Sequence, residues 1–167
     1  MSVTKYPIFD KDFLIKMIGA CRDAEERGLV RILDISGMHV SALRNVIITS
    51  RGNRNYLSWK RPKTNKTLEV LIPPDNLLDI QGFLAHKHHC RSQYWRIIRE
   101  IGQRAGFEGV APMTFRHNRC IRSLKTHNNN PFVVAQDMGC THEVVFRNYS
   151  KLSEEQMAEG KENEQTR

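Results

Sequence analysis

Arg116 and His117 open an amphipathic run near the C-terminal end of this 167-residue sequence, and Tyr149 follows a Met138-Gly139 turn, ten residues after its glycine. Side chains of these types suit attack on a phosphodiester without a metal ion. The non-bridging oxygens of the diester repel a nucleophile, so fixed cations must surround the phosphate, and forked guanidinium donors do this well. A tyrosine hydroxyl can serve as nucleophile, leaving a covalent phosphotyrosine that keeps the bond energy available for rejoining. A lysine can protonate the departing 5′ oxygen, and a histidine can assist proton movement at the attacking hydroxyl.

A second cluster, His86, Lys87, His88, His89 and Cys90, has the residue types of a transition-metal site. Adjacent ligands cannot all face one ion, and no second pair stands at a recognisable spacing. The cluster therefore reads as a basic loop beside phosphate or solvent, and no metal or other cofactor is expected. Cys21, Cys90, Cys120 and Cys140 are scattered without a CxxC pair, the pattern of reduced thiols rather than a disulfide framework or zinc ribbon.

Charge points to a polyanionic partner. The formal net charge is +8, but the segment from Lys151 to Arg167 holds three basic and five acidic residues, so the first 150 residues carry 23 basic against 13 acidic, or +10. A basic body with an acidic tail favours nucleic acid. No apolar run is long enough to span a membrane and no charged-then-apolar leader is visible, so a cytoplasmic protein with no membrane partner is expected.

The elements that must position these residues are legible from periodicity. Phe9 and Leu14 bracket Asp10 as a hydrophobic staple around an N-cap, and apolar residues from Phe13 to Cys21 recur at helical spacing. A first helix is predicted from about Lys11 to Glu26, broken by Gly28. A short, nearly all-apolar second helix then carries Leu29, Val30, Ile32 and Leu33 and stops at Ser36-Gly37 with glycine as its cap. Arg51-Gly52-Asn53 reads as a turn, and Tyr56 to Lys60 and Thr67 to Ile72 read as two strands. Arg61 to Lys66 forms the hairpin loop between them, and Pro73-Pro74 ends the second strand. Helices are predicted over Asn76 to Leu84 and Arg91 to Ala105. Thr114 is the expected N-cap of the helix bearing Phe115, Arg116, His117, Cys120, Ile121 and Leu124, to which Arg119 and Arg122 add charge. Pro131 starts the next helix at its first position, and Thr141 caps a last one carrying Val144, Val145 and Tyr149.

The order of these motifs resembles the end of the tyrosine recombinase (phage integrase) catalytic domain, with its L-R-H-T helix, L-G-H turn and following tyrosine. SGMHVSALRNV is similar to that family's T-G-x-R-x-S-E-x-x-x-L box, with Gly37, Ser41 and the apolar Val40, Leu43 and Val46 in place. The PKTNK hairpin resembles the family's β-hairpin, whose lysine reaches into the minor groove and the active site. The resemblance runs from about Tyr6 to Leu152. It covers the catalytic domain only, and the family's usual N-terminal helical domain has no counterpart in the sequence.

Carried over position by position, the resemblance implies Tyr149 as nucleophile, Arg116 as the second phosphate-binding arginine and Lys63 as general acid. Three positions depart: His39 stands for the first arginine, Met113 for the histidine or lysine before Arg116, and Cys140 for the histidine or tryptophan after the turn glycine. His117 matches the second residue of the R-H pair. Arg44, Lys60, Arg61, Lys66, Arg119 and His142 are further DNA-contact candidates. Imidazole cannot reproduce a bidentate, permanent cation, and methionine has no proton to give.

The implied fold is mainly helical with a small antiparallel sheet. A recombinase-like domain is expected over residues 1–152, with an acidic tail over 153–167 that is frayed or docks on a neighbouring subunit. The implied function is DNA integration or recombination on double-stranded DNA, by strand breakage and rejoining weakened by the three departures, with self-association on DNA. The alternative is a catalytically inactive DNA-binding protein on the same fold.

Overall fold

The computed structural model describes residues 12–61, 65–86 and 89–147. It divides into two compact units, Met1–Arg119 and Cys120–Arg167, with the boundary inside a helix. Among the described residues no helix is long and apolar enough to cross a membrane.

The first unit begins with α1 (Asp12–Gly19) and α2 (Ala24–Ser36). The single helix expected up to Glu26 is thus two, and the break lies before Ala24 rather than at Gly28. The cause is local. Asp23 caps α2 by accepting the Glu26 N–H at 2.8 Å, while the Glu26 carboxylate reaches back to the Arg22 N–H at 2.8 Å. This is the reciprocal logic of a capping box, written in the sequence as Asp23-Ala24-Glu25-Glu26. Gly28 sits inside α2, where a Cβ would lie 2.1 Å from the Asp79 carbonyl oxygen, so it serves close helix packing. Gly37 ends α2 in the left-handed conformation, as anticipated, with its N–H on the Leu33 carbonyl.

A short 3-10 turn (Val40–Asn45) leads into a three-stranded antiparallel sheet of order β1-β2-β3. Its strands are β1 (Ile47–Arg51), β2 (Arg54–Lys60) and β3 (Thr67–Leu71). Only β2 and β3 were expected. Strand β1 pairs Ile48 with Leu57 and Arg51 with Arg54 across the Gly52-Asn53 turn. Its β-branched Ile47-Ile48-Thr49 run is a strand signal hidden behind the apolar positions of the preceding box. Next come α3 (Leu77–Ala85), α4 (Arg91–Arg104) and α5 (Pro112–Thr126). Leu29, Ile32 and Leu33 of α2 are buried with Leu43, Leu57, Ile80, Phe83, Tyr94, Ile98, Ile101 and Phe115 in one core. The second unit holds the end of α5, then α6 (Pro131–Met138) and a helical stretch over 142–147. Its own small core joins Cys120, Ile121, Leu124, Val134, Ala135, Met138 and Val145.

Helix α5 starts three residues earlier than a Thr114 cap would place it, with Pro112 at its first position. Thr114 is therefore not the N-cap. Its hydroxyl instead reaches back to accept the Ala111 N–H at 3.0 Å. In α6 Pro131 occupies the first turn, as expected, while the Asn130 side chain caps the helix by accepting the Phe132 and Val133 N–H groups and Gly139 closes it at φ 61°. The staple around Asp10 and the tail from Lys151 lie outside the described residues.

Candidate functional site

The first unit contains a cleft of about 430 Å³ lined by Met38, His39, Val40, Ser41, Arg61, Arg91, Trp95, Pro112 and Met113. Four separate elements deliver these side chains. His39 is exposed and stands at the start of the 3-10 turn, two residues past the Gly37 cap. Burial of Met38, with its N–H held by the Ser36 hydroxyl at 3.1 Å, sets the direction in which the chain leaves α2. Arg61 lies at the base of the β2–β3 loop, its N–H on the Lys66 carbonyl and its own carbonyl accepting the Asn65 N–H, both at 2.9 Å. Met113 is in the first turn of α5. Arg91 and Trp95, four residues apart in α4, share one face of that helix.

Arg116 lies on α5 one turn beyond Met113 and is buried at 9% exposure, with its Nη1 donating to the Gly37 carbonyl at 2.7 Å. Arg119, a further turn on, donates its Nη1 to the Ile35 carbonyl. Both guanidinium groups therefore hold carbonyls at the C-terminal end of α2, where helix carbonyls lack intrahelical partners and attract cations. The same contacts fix the segment that carries His39. His117 is half-buried, and burial, followed by the nearby Arg116 charge, lowers its pKa below the ordinary histidine value. Arg44, Lys60 and Lys66 are exposed.

The second unit places Cys140 and His142 together. They line a hollow with Phe132, Ala135, Gln136, Thr141 and Glu143, and the His142 ring lies 4.9 Å from that of Phe132. Lys63 and Tyr149, the implied general acid and nucleophile, lie outside the described residues. In the histidine-rich loop, His89 Nε2 meets Glu25 Oε1 at 2.9 Å and His86 Nδ1 meets the Gly82 carbonyl at 3.1 Å. Among the described residues no group of three His, Cys, Asp or Glu side chains could hold a metal ion.

No protein-family model matches the chain, and no curated protein matches it. The crystal structure of XerA recombinase does match, with a TM-score of 0.71 and 19% sequence identity, over 92% of this chain and 65% of that one. The fold is that of a tyrosine recombinase catalytic domain. At this identity the likeness concerns architecture, and the chain spans about 65% of the length of the XerA chain it matches. Within the recombinase fold, two of the three departing positions, His39 and Met113, line one cleft with the DNA-contact candidate Arg61. Arg91 and Trp95 line it as well, although neither was among the candidate residues. Their i, i+4 spacing at the start of a helix was visible in the sequence, but the cleft they face was not.

Proposed function

We propose that the protein binds double-stranded DNA and breaks and rejoins one strand through a 3′-phosphotyrosyl intermediate, as part of DNA integration or recombination. One observation carries the reading. On a recombinase fold, His39, Arg61 and Arg91 converge from three elements on a single cleft in a strongly basic body. That arrangement suits a phosphodiester, whose charge rises as it is attacked. The Tyr149 oxygen attacks phosphorus as its hydroxyl proton passes to water, the bond to the 5′ oxygen breaks, and Lys63 protonates that oxygen. The products are a phosphotyrosine and a free 5′ hydroxyl, and reversal of the same step rejoins the strand. The protein self-associates on DNA, and it works in the cytoplasm.

The rate is low for a protein of this fold, because an imidazole and a thioether stand where two stronger donors would be. Each missing preorganised donor costs on the order of 3 kcal/mol, or about a hundredfold in rate. That same observation favours a second reading, a DNA-binding protein on this fold that does not cleave.

The test is a denaturing-gel assay for covalent protein–DNA adducts on nicked duplexes drawn from the gene's own flanking DNA. An adduct that is lost in Tyr149→Phe is the expected result. Salt-sensitive binding with no adduct would select the non-cleaving reading instead.

A further inference from the structure

We infer that Arg91 holds the DNA phosphate that His39 cannot, a guanidinium supplied from the start of α4 in place of the one absent from the end of α2. The inference rests on the proposed DNA reading and adds to it a residue and its role.

Arg91 is exposed, is the first residue of a 14-residue helix, and lines the cleft together with His39, Arg61 and Met113. Its side chain makes no ion pair among the described residues, and neither does that of Arg61. On the same helix Arg96 reaches Glu100 at 3.7 Å and Arg104 reaches Glu26 at 2.5 Å. Among the described residues no carboxylate lines the cleft. Two arginines that line one cleft repel each other, and an anion between them relieves that repulsion.

The backbone at this end of α4 adds to the same field. The positive end of the helix dipole faces the side on which Arg91 sits, and Arg91 is held there by the cap in which the Cys90 N–H donates to Gln93 Oε1 at 2.7 Å. Trp95, one turn along the same helix, adds an apolar side chain to the lining of the cleft. The ligand this space suits is a single tetrahedral phosphodiester, gripped through paired N–H donors on Arg91 and Arg61 with His39 as a third donor.

The test uses the full chain and a nicked duplex and combines single and double substitutions. Arg91→Gln should weaken binding about tenfold near physiological salt and reduce the salt slope by about one. Arg99→Gln, an exposed position on α4 that does not line the cleft, should have little effect. The decisive variant is His39→Arg. It should restore most of the affinity lost in Arg91→Gln yet add little to the wild type, because two residues serving one phosphate are non-additive. Equal losses for Arg91→Gln and Arg99→Gln would overturn the inference, as would the same gain from His39→Arg whether or not Arg91 is present. A wild-type protein whose binding ignores salt would instead sink the DNA reading on which the inference rests.

Discussion

Arginine plays two different parts in the first unit. Where α2 packs on α3, Arg27 Nε meets Asp79 Oδ1 at 3.0 Å and Arg31 Nε meets Asp79 Oδ2 at 2.6 Å. Arg31 also donates to the Asn76 side-chain oxygen, and Glu26 is shared between Arg22 and Arg104. Around the cleft, Arg61 and Arg91 have no carboxylate among the described residues. A guanidinium with a carboxylate is already neutralised and its geometry serves the fold, whereas one without is available to an anion from outside. The same residue type therefore reads as scaffold or as binding surface according to its counter-charge. Arg116 and Arg119 each donate to a carbonyl at the end of α2, a contact that orients the guanidinium group.

The contrast can be broken most severely on the scaffold side. A side chain at Gly28 must fit where a Cβ would stand 2.1 Å from the Asp79 carbonyl oxygen and 2.6 Å from Phe83 Cβ. The first contact is with backbone, so relief requires α3 to move away from α2. Gly28→Val should cost about 3 kcal/mol or more, since overpacking of this kind exceeds the few tenths gained from better helix propensity. Urea denaturation measures the loss, and a variant as stable as the wild type would show that α2 and α3 are not in close contact.

Asp79→Ala comes next. The carboxylate is 17% exposed and its two partners 35% and 23%, between the surface and buried regimes, so a loss of about 2 kcal/mol is expected. The pH dependence has a definite sign. Burial pushes the Asp79 carboxyl up, but hydrogen bonds from Arg31 and Arg27 outweigh it and the net pKa is lowered. A depressed carboxyl contributes stability above its unfolded pKa of about 3.9 and loses it as pH falls from there through the folded value. The difference between wild type and Asp79→Ala in denaturation midpoint should shrink below about pH 4. A gap that persists at pH 2 would assign the effect to packing rather than to the ion pairs.

The parts of this fold that are local in origin were legible in the sequence. Gly37 as a helix cap, Pro131 at the start of a helix, and the β2–β3 hairpin all depend on the chemistry of a few adjacent residues. The break before α2 was equally local, in Asp23-Ala24-Glu25-Glu26, but helical spacing of apolar residues ran through it and masked the cap. Strand β1 was hidden because its exposed Ile47 breaks the alternation that marks a half-buried strand. Motif order singled out His39 and Met113, and these two residues line one cleft. Membership of Arg91 and Trp95 was not legible, because it depends on where α4 packs. Nor could spacing reveal that Arg116 binds the Gly37 carbonyl, since a backbone acceptor leaves no mark in residue types.

The gentlest perturbation bears most directly on the comparison. Arg61→Gln removes a charge whose side chain has no ion pair among the described residues, while the backbone bonds of Arg61 to Lys66 and Asn65 remain. Folding stability should therefore change by less than about 0.5 kcal/mol, the usual range for a surface substitution that breaks no partnered contact. DNA affinity should fall several-fold, and the logarithmic salt dependence should flatten by about one, as expected when one phosphate contact and its released counterion are lost. Arg27→Gln is the mirror experiment, lowering stability through Asp79 while leaving the salt slope as it was. Fluorescence titrations at several salt concentrations, paired with urea midpoints for both variants, give the four numbers needed. If Arg61→Gln destabilises the fold as much as Arg27→Gln does and leaves the salt slope unchanged, counter-charge does not separate scaffold arginines from binding ones in this protein.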